Sequence, residues 1–273
     1  MPELPEVETV RRSLEKQLKN RTILNVSVHY SNIIAEPSVE IFKTDIKNQM
    51  IHQMKRYGKW LIFELDQYFL LSHLRMEGKY FFRTKEDPIS KHEHVIFYLD
   101  DGRELRYHDT RKFGRMYLLP KETAYQVPPL SQLGLEPWSE LLTVSYLKEK
   151  YKHKTIPIKT SLLDQSIIVG IGNIYANEIL FLSHISPLRK TNRVTKKELE
   201  SIINYTRKVL KEAIDLGGST IRSYHPSEGV DGMFQQRLFV HGKEGEPCPI
   251  CGKPIRKKFI NGRSSYYCTN CQK

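Results

Sequence analysis

All four cysteines of this chain lie after residue 247, and they constrain its fold more tightly than any other feature. Cys248-Pro-Ile-Cys251 and Cys268-Thr-Asn-Cys271 form two Cys-x-x-Cys pairs with 16 residues between them. That is the spacing by which two knuckles enclose one tetrahedral Zn²⁺. Four thiolates close the coordination sphere and leave no position for a catalytic water, so the expected ion is a single structural Zn²⁺. The body of the chain carries no cysteine, which rules out a disulfide framework there. Arg256, Lys257, Lys258 and Arg263 lie between the pairs, giving a basic hairpin suited to phosphate contacts.

A chain of 273 residues exceeds one small domain, so two domains with a core in each are expected ahead of this tail. Residues 5–18 place Val7, Val10, Leu14 and Leu18 at helical spacing, with Pro5 in the first turn. From about 22 to 119 the pattern is one of short strands: Ile23, Val26 and Val28, then 60–65, 68–74, 94–99 and 104–108. Turn signals such as Asp100-Asp101-Gly102 separate them. So many short strands predict a β-sandwich. Pro128-Pro129 and Gly134-Leu135-Glu136-Pro137 break the pattern and mark a domain boundary. Helices are predicted beyond it at 143–151, 174–182 and 196–216, the last stopping at Gly217-Gly218. From about 234 the chain becomes a short β-rich tail. The fold class is therefore α+β, in three segments: 1–130, 131–233 and 234–273.

Lys and Arg number 43 against 31 Asp and Glu, a net charge of +12 with a pI near 9.4. Such an excess makes a polyanion, nucleic acid above all, the first partner to test. No apolar run approaches the length of a spanning helix, and the acidic N-terminus lacks the basic and apolar regions of a signal peptide. The expected compartment is the cytoplasm.

The chain begins Met1-Pro2-Glu3-Leu4-Pro5-Glu6. With Met1 removed, Pro2 presents a secondary amine whose attack on a carbon electrophile yields a permanently charged iminium, a ready electron sink. Glu3 follows immediately and can move the protons such chemistry requires. An α-amino group has a reference pKa of roughly 7.7–8, so an appreciable fraction is nucleophilic near neutrality, whereas a lysine needs strong desolvation to match it.

Met-Pro-Glu-Leu-Pro-Glu-Val-Glu-Thr at the start, Arg56-Tyr-Gly-Lys59, His73-Leu-Arg-Met-Glu-Gly78, Asp109-Thr-Arg-Lys-Phe-Gly114, Gly170-Ile-Gly-Asn-Ile-Tyr175 and the terminal Cys₄ motif run in order from end to end. Together they resemble the formamidopyrimidine-DNA glycosylases of bacterial base-excision repair. The resemblance implies a bifunctional glycosylase and AP lyase for oxidised purines such as 8-oxoguanine and formamidopyrimidines. It implies an N-terminal helix with a β-sandwich, a helix-two-turns-helix domain with a lesion-capping loop, and a zinc finger. Damaged double-stranded DNA would be the partner, and the expected state is a monomer without an obligatory protein partner.

Carried onto this chain, the resemblance makes Pro2 the nucleophile at C1′, Glu3 the main acid/base and Glu6 its support. Lys59 would contact a phosphate beside the lesion and assist catalysis; Lys55, Arg56, Tyr57 and Trp60 around it make a basic, aromatic edge. Arg263 would grip the backbone flanking the lesion, and His73 and Asn173 would contact phosphates, Asn173 also capping its helix. Lys159 would lie near the damaged base. Chemistry on a base requires its extrusion, and side chains must occupy the gap; Met76, Arg111 and Phe113 match the gap-filling triad. The stretch from Gly217 to Tyr224, with Arg222, matches the loop that closes over the flipped base.

Two alternatives stand beside this reading. An endonuclease VIII-like enzyme shares Pro2, Glu3 and the finger but favours oxidised pyrimidines; Leu4, the Met76/Arg111/Phe113 set and the stretch after Gly217 favour the purine enzyme. A non-catalytic zinc-ribbon DNA-binding protein accounts for the charge and the Cys₄ motif but gives Pro2 and Glu3 no role.

Overall fold

The computed structural model describes residues 1–219 and 233–273. They divide into two compact units, one of residues 1–132 with Ser219, the other of Leu133–Gly218 with Met233–Lys273. Among the described residues no helix is long and apolar enough to cross a membrane.

The first unit opens with helix α1 (Leu4–Leu18). Pro5 sits in its first turn, where a missing N–H costs nothing, and the Glu6 carboxylate accepts the N–H of the N-cap residue Glu3 at 2.8 Å. Val7, Val10, Leu14 and Leu18 form the buried stripe expected from their spacing, each contributing about 1.5–3 kcal/mol of burial. The helix is fastened to the strands through Glu15, which accepts the N–H of Met54 at 2.6 Å, and Arg11, which donates to the Met54 carbonyl.

After α1 come β1 (Arg21–Val28), β2 (Ile34–Glu36), a short helix α2 (Val39–Asp45), β3 (Gln49–Ile51), β4 (Gln53–Tyr57) and β5 (Trp60–Glu64). β6 (Tyr68–His73), β7 (Lys79–Arg83), β8 (Glu93–Leu99), β9 (Glu104–His108) and β10 (Arg115–Pro120) complete the unit. They form two five-stranded sheets, ordered β3-β1-β8-β9-β7 and β2-β10-β6-β5-β4. Leu61, Phe63, Leu70, Tyr80, Val95, Phe97, Leu105, Tyr107, Met116 and Leu118 share one buried core, the sandwich that the strand pattern predicts. Arg106 is also buried. Its guanidinium pairs with Glu93 and Glu104 and donates to the carbonyls of Thr84, Asp87 and Pro88, so the cost of its burial is met by partners on every side.

The second unit contains α3 (Val144–Tyr151), α4 (Ile158–Leu162), α5 (Asn173–Leu182) and α6 (Lys196–Asp215). Thr195 and Glu198 form a reciprocal capping box at the start of α6, and Gly217 and Gly218, both at positive φ, close its end by returning N–H groups to Ile214 and Ala213. α5 is buried almost all round, as a central helix must be. At the C-terminus β11 (Arg256–Ile260) and β12 (Arg263–Tyr267) form a hairpin whose two turn residues, Asn261 and Gly262, both take positive φ, the Asn-Gly signature of a type I′ turn. Phe181 of α5 packs with Val240, Ile255, Cys248 and Cys268, so the finger shares a core with the helices.

Candidate active site and nucleic-acid interface

Pro2, Glu3 and Glu6 are buried at the mouth of α1. Burial lowers the pKa of the Met1 amine, the Glu3 and Glu6 carboxylates oppose that shift, and the charge of Lys59 adds to it. The terminal amine and the three charged residues singled out from the sequence thus act on one another electrostatically. Lys59, 6% exposed, occupies the second position of a two-residue turn between β4 and β5, where Gly58 supplies the positive φ. Arg56 braces that turn by donating to the Gly58 carbonyl and to Glu8 of α1. Burial works against the Glu8 carboxylate, but hydrogen bonds from Arg11 and Arg12 and the charge of Arg56 hold it below the usual range. The helix that follows Pro2 and the hairpin that carries Lys59 are therefore fixed to each other through one ionised side chain.

His73 ends β6, edge-on to Trp60 at 4.8 Å. Burial, reinforced by Arg75 and Lys59, pushes its pKa down to about 3. It is neutral at physiological pH, and because Nδ1 accepts the Arg75 N–H, Nε2 carries the proton and can donate to a phosphate. Met76 and Phe113 are 36% and 48% exposed, unusual for large apolar side chains beside a well-formed core. Arg111 is exposed as well, its guanidinium 4.7 Å from the centre of the Phe113 ring. An apolar thioether, an aromatic ring and a stacked cation on two neighbouring turns are equipped to replace a base in a stack.

In the second unit the geometry departs from expectation at one position. Asn173 does not cap its helix: Gly172 is the N-cap, and the Asn173 amide donates to the Ser264 carbonyl at 3.1 Å while its own oxygen is buried without a partner. Lys159 is 1% exposed and donates to the Ser264 carbonyl and the Ser265 hydroxyl, both at 2.8 Å, which ties α4 to the finger hairpin. Thr160 accepts from Asn261 at the hairpin turn. These contacts frame Arg263, whose side chain is exposed. Arg222 lies outside the described residues.

Cys248, Cys251, Cys268 and Cys271 bring their sulfurs within 4.8 Å of one another, with Cys248 and Cys271 at 3.8 Å and Cys251 and Cys268 at 3.5 Å. A tetrahedron of Zn–S bonds of about 2.3 Å has edges of about 3.8 Å, so the set fits one Zn²⁺ without an open position.

Three residues that sequence reading did not single out complete the site. Ser219 donates both its N–H and its hydroxyl to Glu6; Asp109 gathers the backbone of the Arg111 turn; Tyr107 lies beneath it. Asp109 stands inside a motif read for its arginine and phenylalanine, whereas Ser219 becomes visible only when two distant segments meet.

Three family models match in succession: the formamidopyrimidine-DNA glycosylase N-terminal domain over residues 1–116, the formamidopyrimidine-DNA glycosylase H2TH domain over 133–225, and a zinc finger found in FPG and IleRS over 245–273. A formamidopyrimidine-DNA glycosylase of Shouchella clausii is 48% identical over 273 residues, covering all of this chain and 99% of its own. The Lactococcus lactis FPG mutant G226P, solved in complex with Fapy-dG-containing DNA, is 38% identical and superposes over the full length of both chains with a TM-score of 0.93. The Lactococcus lactis Fpg bound to DNA containing an abasic site is 37% identical, with a TM-score of 0.92 over 99% of each chain.

Proposed function

The chain belongs to the formamidopyrimidine-DNA glycosylase family, and from that membership we propose that it excises oxidised purines, 8-oxoguanine and formamidopyrimidines, from duplex DNA and then cleaves the strand. The observation that carries the reading is the buried N-terminus, where an amine of lowered pKa shares its surroundings with Glu3, Glu6 and Lys59. Removal of Met1 passes the amine to Pro2. Its neutral form attacks C1′ of the damaged nucleotide, the N-glycosidic bond breaks and the base departs, and Glu3 delivers a proton to the sugar-ring oxygen as the ring opens. The resulting iminium acidifies the C2′ hydrogens. Loss of one of them expels the 3′ phosphate by β-elimination, and δ-elimination then expels the 5′ phosphate.

Lys59 and the Nε2–H of His73 are donors for phosphates beside the lesion, and exposed Arg263 supplies a further cation from the finger hairpin. Met76, Arg111 and Phe113 fill the gap left by the extruded nucleotide, and Lys159 and Asn173 hold the hairpin that bears Arg263. Bound Zn²⁺ supplies no chemistry to the reaction; its four thiolates fix the finger fold. The protein works as a monomer in the cytoplasm, where its thiols stay reduced and the DNA is at hand.

Excision of 8-oxoguanine opposite cytosine, measured against thymine glycol in the same duplex, tests the lesion class. The purine lesion is expected to be removed faster. Preference for the pyrimidine would assign the chain to endonuclease VIII-like chemistry, and binding without excision would reduce it to a zinc-ribbon DNA-binding protein.

A further inference from the structure

Met76 and the pair Arg111 and Phe113 stand on separate turns, 74–78 and 109–114, that belong to different connections of the sandwich. Both turns close on the same buried side chain. Tyr107 of β9 is fully buried, pairs with Tyr80 of β7 across the sheet and meets its ring at 5.2 Å. Its hydroxyl projects to where a Cβ would stand on Gly78 and equally to where one would stand on Gly114. Neither glycine has the positive φ that usually explains the residue; at Gly114 the phenol alone fills the space a side chain would take, and at Gly78 the phenol shares that space with the Leu74 carbonyl oxygen, 2.7 Å from the same point.

Asp109, also fully buried, completes the arrangement. One carboxylate oxygen accepts the N–H of Arg111 at 3.0 Å, and the other accepts those of Phe113 at 2.9 Å and Gly114 at 2.8 Å. The Tyr107 hydroxyl approaches the second oxygen at 3.5 Å, and the imidazole of His94 contacts the Asp109 carbonyl at 2.8 Å. Across the top, Thr110 donates to Glu77, joining the two turns a second time.

We propose that Tyr107 and Asp109 are positioning residues that key the Met76 turn and the Arg111/Phe113 turn into one rigid wedge, assembled before DNA arrives. The proposal rests on the gap-filling reading of the three exposed side chains given above. Physically, a wedge must enter a base stack as a unit, and ordering two independent turns at the moment of insertion would subtract from the energy available to open the duplex. A side chain misplaced by about 1 Å costs up to about a hundredfold in rate.

The test compares Tyr107→Phe and Asp109→Asn with the native protein on two substrates by borohydride trapping. One is an 8-oxoguanine paired with cytosine, which requires the gap to be filled; the other is an abasic site facing a one-nucleotide gap, which does not. The ratio of the two trapping rates is expected to fall about tenfold in both variants. Hydrogen exchange of the free proteins provides a readout independent of catalysis: segments 74–78 and 109–114 are expected to exchange faster while β8 and β9 stay protected. Equal losses on both substrates, or an unchanged ratio with unchanged exchange, would overturn the proposal. Failure of the native protein to trap either substrate would instead overturn the functional reading on which it rests.

Discussion

One oxygen of the Glu6 carboxylate accepts the N–H of Ser219 at 2.8 Å and its hydroxyl at 3.0 Å, across 213 positions of sequence, while the other holds the N–H of Glu3 at 2.8 Å. Donors thus occupy both oxygens, and the carboxylate serves as an anchor for the backbone on which Pro2 and Glu3 stand. The Glu3 side chain accepts the N–H of the third helical residue in the capping box of α1.

Glu6→Gln turns an amide N–H₂ toward at least one buried donor. A buried donor without its acceptor costs about 1–3 kcal/mol, so urea unfolding is expected to show a loss of that order, accompanied by slower trapping. Ser219→Ala, which removes only the hydroxyl, is expected to lose less in both measurements. Full stability in Glu6→Gln would contradict the anchoring role.

The pH dependence follows from the sign of the amine shift. On the proposed mechanism the nucleophile is the neutral amine of Pro2. Burial lowers the pKa of the Met1 amine at the same mouth of α1, so an amine kept buried there after Met1 removal is expected to be neutral at lower pH than an ordinary α-amino group. The acid limb of the trapping rate is expected below about 8, the ordinary value. Lys59 contributes to that lowering, so Lys59→Met is expected to move the limb to higher pH, whatever it does to the maximal rate. A limb that stays in place would separate Lys59 from the amine.

Zinc removal and Lys159 substitution are expected to weaken DNA binding in distinguishable ways. Chelation dissolves the shared core of Phe181, Val240 and Ile255 with the cysteines, so affinity falls and the salt dependence flattens by about 0.9 in log–log slope for each phosphate the finger no longer neutralises. Filter binding over a salt series, with metal analysis, checks this.

Lys159→Met leaves the four thiolates alone but removes the charged donor from Ser264 and Ser265. A hydrogen bond to a charged group is worth about 1.5–3 kcal/mol. The expected variant keeps one zinc per chain yet binds DNA more weakly through a displaced Arg263. Loss of zinc in this variant, or native affinity, would contradict the anchoring of the finger by the helices.

Much of this architecture was legible in the residues. The stripe of α1, the alternation that builds the sandwich, the Gly217-Gly218 stop and the Cys₄ spacing are periodic or local signals, and the structure follows them. What escaped reading depends on partners far away in sequence. Arg106 looks like a surface charge until Glu93 and Glu104 close around it. The tie between Lys159 and the finger hairpin shows only when the carbonyl of Ser264, 105 positions later, accepts from its ammonium. Asn173 yields the capping role to Gly172 because its amide is drawn to the same carbonyl. β2 and β3 are three residues each, and only pairing within a sheet reveals them as strands.

The proposed chemistry turns on the amine of Pro2, and borohydride trapping on lesion DNA followed by peptide mapping tests it directly. The prediction is one covalent protein–DNA adduct, formed only by chains from which Met1 has been removed and mapping to Pro2. An adduct on Lys59 or another lysine, or none from correctly processed and folded protein, would contradict it.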